Sequence, residues 1–130
     1  MSSFNYLGKE VFYLVESTGK PIIILNGIMM STKSWAPFVS SLTEQNQLIR
    51  LDFFDQGLSS KLPDTTYTQQ IQVDLINALL KHLNISKVSI VGISYGGEVA
   101  VQFAIQYPDM VDRLLLFNTT AYTSPWLKEI

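Results

Sequence analysis

The stretch Val91-Gly92-Ile93-Ser94-Tyr95-Gly96-Gly97 constrains this chain more than any other. A compact apolar run, Lys87-Val88-Ser89-Ile90-Val91, leads into it, and an amphipathic run from Glu98 to Tyr107 follows. That order predicts a strand, a very tight turn and a helix. Ser94 stands in the turn with Gly92 two residues before it and Gly96 two after. Gly-x-Ser-x-Gly in strand–turn–helix context is the nucleophile elbow, where a serine is held in a strained conformation at a strand's end. A side chain at either glycine is expected to collide with the neighbouring strand or helix. Gly97 and Ala100 keep the helix slim enough to lie close on a sheet.

The rest of the chain supplies elements that fit around this turn. Phe4 to Tyr6 and Val11 to Val15 read as a hairpin about Gly8-Lys9. Ile22 to Leu25 is short, wholly apolar and rich in β-branched residues, as in a strand buried on both faces. Asn26 to Met30 leaves it as a loop. Ser34 is expected to cap a helix through Leu42, with Trp35, Phe38, Val39 and Leu42 on one face. Leu48 to Phe53 reads as a strand with Asp52 near its C-terminal end. A helix from about Thr68 to Leu83 follows, with Ile71, Leu75, Leu79 and Leu83 every fourth residue. Pro108 stops the helix after the turn, and Val111 to Phe117 is a last strand. Alternating strands and helices predict one α/β unit, a parallel sheet with helices on both faces.

A chain of 130 residues, 47% hydrophobic and with net charge −2, fits a single globular domain. The slight acidity gives no electrostatic case for nucleic acid or an anionic membrane surface. With no cysteine, neither a disulfide framework nor a thiolate metal site is possible. No metal-ligand cluster, phosphate-cradling loop or dinucleotide fingerprint is apparent, so no cofactor is expected. Met1 to Tyr6 lacks the basic and apolar regions of a signal peptide, and no apolar run is long enough to cross a bilayer. A cytoplasmic location is the default.

Several motifs together resemble the α/β-hydrolase superfamily. Ile22-Ile23-Ile24-Leu25-Asn26-Gly27 resembles the strand ending in His-Gly that opens the family's oxyanion loop. Ser34-Trp35 matches the start of the following helix. Asp52-Phe53-Phe54-Asp55-Gln56-Gly57-Leu58-Ser59 resembles the Asp-x-x-Gly-x-Gly-x-Ser loop after the fourth strand. Gly92 to Gly97 is the elbow. Tyr107-Pro108 followed by Val111 to Phe117 is similar to the family's Tyr-Pro and sixth strand. The matches fall in family order over nearly the whole chain. Asn26 replaces a common histidine, and Asp55 replaces a glycine, which is expected to alter that loop's path. The largest departure concerns the charge relay. In the family the acid and histidine come late, after strands seven and eight. Here no histidine follows Ser94. The chain resembles the N-terminal half of a hydrolase, its first six strands, without the cap or the last two strands.

The resemblance implies that Ser94 is the nucleophile, with the backbone amides of Tyr95 and, by motif position, Ile28 forming the oxyanion hole. Met29 is the neighbouring alternative to Ile28. Tyr95, Met29, Met30 and Trp126 are candidates to line an acyl pocket, and the same residues fit ordinary packing. The single histidine, His82, falls at the end of the helix preceding the elbow strand. That helix runs antiparallel to the strand, which puts His82 near the strand's start, roughly 15 Å or more from Ser94 at about 3.3 Å per residue. Asp52 matches an aspartate that orders its loop. Asn118-Thr119-Thr120 offers no carboxylate after the sixth strand, and Glu98 reads as a solvated or capping charge.

These residues together imply a serine hydrolase acting on a carboxylic ester or thioester, carried here as an incomplete fragment. An acyltransferase, a cofactor-free haloperoxidase or a carbon–carbon bond hydrolase fits the same scaffold, as does a non-catalytic module. A sixth strand with no further strand beside it is expected to promote self-association.

Overall fold

Leu7 and Gly8, at φ 55° and 75°, reverse the chain between β1 (Ser2–Tyr6) and β2 (Lys9–Glu16). Positive φ at both central residues is the pattern of a tight two-residue hairpin, and the register runs from Tyr6 opposite Lys9 to Ser2 opposite Tyr13. The computed structural model describes residues 2–27, 30–61 and 68–117. Beyond the hairpin lie β3 (Lys20–Leu25), a 3₁₀ segment (Thr32–Phe38), α1 (Val39–Leu42), β4 (Asn46–Leu51), α2 (Gln69–His82), β5 (Val88–Ile93) and α3 (Tyr95–Gln106). A short 3₁₀ turn, Pro108–Met110, then enters β6 (Val111–Phe117).

The six strands form one sheet in the order β1-β2-β4-β3-β5-β6. β1, β2 and β4 pair antiparallel, while β4, β3, β5 and β6 run parallel. The expected α/β architecture of six strands is therefore formed. Along β5 burial alternates, with Val88, Ile90 and Gly92 buried and their neighbours half-buried. The buried side faces α3, since a Cβ on Gly92 would sit 3.0 Å from the Cβ of Ala100. Ile23, Leu25, Ile49, Leu51, Leu79 and Phe103 are among the residues that build this core. Trp35, Phe38 and Leu42 line a cavity of ≈ 380 Å³ with Ile22, Ile24 and Val91 of the sheet. No helix among the described residues is long and apolar enough to cross a membrane.

Three local expectations are corrected. The helical segment after β3 is capped by Ser31, whose side chain accepts from Lys33 N–H, while Ser34 reciprocates by accepting from Ser31 N–H at 3.1 Å. It begins as 3₁₀ with Pro37 inside, because proline has no N–H to extend an α ladder. Phe38, expected on the packed face, is 55% exposed. β5 runs two residues further than the apolar pattern suggested, because parallel pairing continues through Gly92 with Leu25 and Ile93 with Phe117.

Candidate functional site

Ser94 lies between the end of β5 and the first residue of α3, with φ 52° and ψ −115°. A non-glycine residue in this sparsely populated region costs of order 1–3 kcal/mol, so its surroundings must impose it. Its N–H donates to the Phe117 carbonyl at 3.0 Å, and its own carbonyl accepts from Glu98 N–H at 3.1 Å. Strand and helix are thus fixed on either side of one exposed residue.

The two flanking glycines permit that junction. A Cβ on Gly92 would lie 2.7 Å from the Cα of Gly97. On Gly96 it would land on the Leu25 carbonyl and 2.6 Å from the Asn26 carbonyl oxygen. The helix therefore rests on the backbone at the end of β3. The same closeness brings the loop after β3 to the serine. A Cβ on Gly27 would lie 3.4 Å from the Cβ of Ser94.

Tyr95 opens α3, and amides in the first turn of a helix project from its N-terminus. The half-buried Tyr95 ring meets the buried Phe53 edge-on at 6.0 Å. Ile28, Met29 and Trp126 lie outside the described residues. Met30 is described, and its N–H donates to the Gly27 carbonyl at 3.2 Å.

The loops beside Ser94 are held by a polar network. Asp52 is buried, with one carboxylate oxygen accepting from Thr32 N–H at 2.7 Å and the other from Leu58 N–H at 3.0 Å. Arg50 donates to the Thr32 carbonyl at 2.8 Å and pairs with Glu16 at 2.6 Å. The buried Asn26 donates to the Leu51 carbonyl at 2.8 Å and accepts from the Trp35 indole N–H at 2.8 Å. Asp55 takes φ 68° itself. Aspartate tolerates this left-handed conformation better than most residues, so it can stand in for the family's glycine at this turn. Gly57, at φ 46°, admits no side chain because a Cβ there would strike the Asp52 carboxylate.

His82 lies away from the serine, and Glu98 is engaged by another side chain. His82 stacks on Phe4 at 5.1 Å and meets Tyr13 edge-on at 6.1 Å, over β1 and β2. β5 is three strands from β2, about 14 Å at the usual inter-strand spacing. Glu98 accepts from the Gln69 side chain of α2 at 3.2 Å. Among the described residues no group of His, Asp or Glu is placed to hold a metal.

Residues 20–129 match the family model described as the alpha/beta hydrolase fold. The chain belongs to the α/β-hydrolase family. An α/β-hydrolase enzyme from a Medee basin deep-sea metagenome library shares 50% identity with a TM-score of 0.94, over 98% of this chain and 48% of that one. A cis-3-alkyl-4-alkyloxetan-2-one decarboxylase of Shewanella oneidensis is 30% identical over 95% of this chain and 40% of its own length. A soluble epoxide hydrolase of Corynebacterium is 31% identical over 85% and 38%. The chain spans about two fifths of these curated relatives and about half of the structural one.

For an α/β hydrolase, the motifs point to Ser94, Gly92, Gly96 and Asp52, and none of them singles out Gln56. Its side chain accepts from Phe53 N–H at 3.2 Å and from Asn26 at 3.3 Å, and donates to the Gly27 carbonyl at 3.0 Å. The available signal was Asn26 itself. A carboxamide where the family has histidine needs new partners once buried.

Proposed function

We propose that Ser94 is the nucleophile of a serine hydrolase acting on carboxylic esters or thioesters. The backbone strain at Ser94 carries this reading. A serine that only capped a helix would gain nothing from φ 52° and ψ −115°, and here two glycines and two backbone hydrogen bonds maintain it. In the reaction the Ser94 hydroxyl oxygen attacks the acyl carbon while a histidine takes its proton. The oxygen of the tetrahedral intermediate is held by the amides of Tyr95 and Ile28, with the N-terminus of α3 adding its dipole.

The histidine and acid of the relay are assigned to sequence outside these 130 residues. His82 is committed to Phe4 and Tyr13, both oxygens of Asp52 are engaged by backbone amides, and the chain covers 48% of its metagenomic relative. The reading is thus of a domain portion that carries the nucleophile and the oxyanion hole. A fluorophosphonate probe should label the full product of the gene and fail to label Ser94→Ala. Labelling that persists in Ser94→Ala would sink the assignment.

A further inference from the structure

We propose that Met30 is a specificity-determining residue, its thioether forming a wall against the acyl group that Ser94 takes from its substrate; this rests on the serine-hydrolase reading above. Gly27 is what brings the two side chains together. Where a Cβ on Gly27 would stand, the Met30 Sδ and the Ser94 Cβ each lie 3.4 Å away. Sulfur and serine Cβ are therefore no further apart than twice that distance, and Gly27 puts no side chain between them. An acyl carbon bonded to the serine oxygen stands two bonds beyond that Cβ, so a chain of a few carbons spans the gap to the sulfur.

The Met30 backbone is held on both sides. Its N–H donates to the Gly27 carbonyl at 3.2 Å, and the same carbonyl accepts from the Gln56 side chain at 3.0 Å. On the other side, Ser31 N–H donates to the Ser34 hydroxyl at 3.1 Å. Thr32 is then fixed twice, its N–H by Asp52 and its carbonyl by Arg50. The methionine side chain thus starts from a fixed backbone, and the residue is only half-buried, so part of it is open to a ligand. The acyl group stays bonded to the serine oxygen after the alcohol or thiol has left, so it meets this wall in both halves of the reaction. A thioether is at best a weak acceptor and donates nothing. It suits an aliphatic chain, whereas a charged acyl group set against it would lose hydration without compensation. The substrate class that fits is an ester or thioester with a short aliphatic acyl group.

The test compares Met30→Ala and Met30→Phe with wild type in the full product of the gene, on nitrophenyl acetate and nitrophenyl octanoate. The quantity read is the octanoate-to-acetate ratio of kcat/KM. Both esters are given to one preparation, so the ratio is independent of how much of a variant is folded. One methylene more or less in an apolar site changes kcat/KM by about tenfold or more. The ratio should therefore rise about tenfold in Met30→Ala, where the wall recedes, and fall by a similar factor in Met30→Phe. An unchanged ratio in Met30→Ala, with turnover still dependent on Ser94, overturns the wall and leaves the serine reading standing. That is the result a merely structural methionine gives, since any loss is then shared equally by both esters. A ratio that moves the same way in both variants overturns it as well. Wild-type protein without ester turnover, or turnover that survives Ser94→Ala, instead removes the serine reading and this proposal with it.

Discussion

A Cβ on Gly96 would be driven into the backbone carbonyl of Leu25, the last residue of β3. The obstacle is main chain, so no rotamer change relieves it. Alanine raises intrinsic helix propensity over glycine by about 1 kcal/mol, yet here the collision should dominate. Gly96→Ala is expected to destabilise by about 1–3 kcal/mol and Gly96→Val by more. Gly8→Ala is the comparison, because Gly8 has nothing within 4 Å and pays only for φ 75°. Chemical denaturation of the three variants checks this. A Gly96→Ala curve at or above wild type would mean that α3 does not rest on β3 as described.

Asp52 makes a second prediction, about loops and not chemistry. Its two oxygens accept from Thr32 and Leu58, one residue from the loop after β3 and one from the loop after β4. Asp52→Asn keeps the shape but turns one acceptor into a donor that faces an N–H. A buried polar group left unsatisfied costs about 1–3 kcal/mol. Thermal melting should register that loss, and an unchanged midpoint would show that the carboxylate is not the tie between these loops.

What the sequence made legible was whatever depends on local pattern. The strand, turn and helix about Ser94 follow from apolar periodicity and glycine spacing, and the β6 bounds at Val111 and Phe117 matched because Pro108 and the apolar run mark both sides. The structural role of Asp52 was legible from its motif. Less legible were features set by distant partners. Ser34 looked like a cap because it precedes Trp35, but Ser31 takes that place once its own N–H is bonded by Ser34. Helical spacing puts Phe38 on the packed face, yet the sheet face beneath it stays open. Gln56 has no signature of its own, since two of its three partners, Gly27 and Asn26, lie 29 and 30 residues away in sequence.

β6 supports a prediction about association. It pairs with β5 on one side, and Leu114, Leu115, Leu116 and Phe117 are 37%, 47%, 39% and 50% exposed. Successive residues of a strand point to opposite faces, so both faces of β6 are apolar and open to solvent. An exposed apolar edge strand is a template for another chain. The isolated 130-residue chain should therefore self-associate, and Leu115→Lys with Leu116→Lys should return it to monomer. Sedimentation velocity over a concentration series decides; a wild-type chain that stays monomeric throughout would refute the expectation.

The last prediction concerns activity of the 130 residues alone, which are not expected to turn over an ester. A serine hydroxyl is a weak nucleophile until a neighbouring base removes its proton. The chain's single histidine is stacked on Phe4, on the outermost strand of the sheet at the end away from β5 and β6. It would have to cross β2, β4 and β3 to reach Ser94. Glu98, one helical turn beyond the serine, is held by Gln69. What remains is strain and the α3 N-terminus, and in serine proteases the oxyanion hole and binding alone still give about 10³-fold over water without the triad. Purified chain should therefore hydrolyse a short-chain nitrophenyl ester only marginally above buffer, with His82→Ala indistinguishable from wild type. Robust turnover lost in Ser94→Ala but kept in His82→Ala would reveal another base within the chain. Loss in both variants would instead mean that His82 leaves Phe4 and Tyr13 and reaches the serine, which the sheet order argues against.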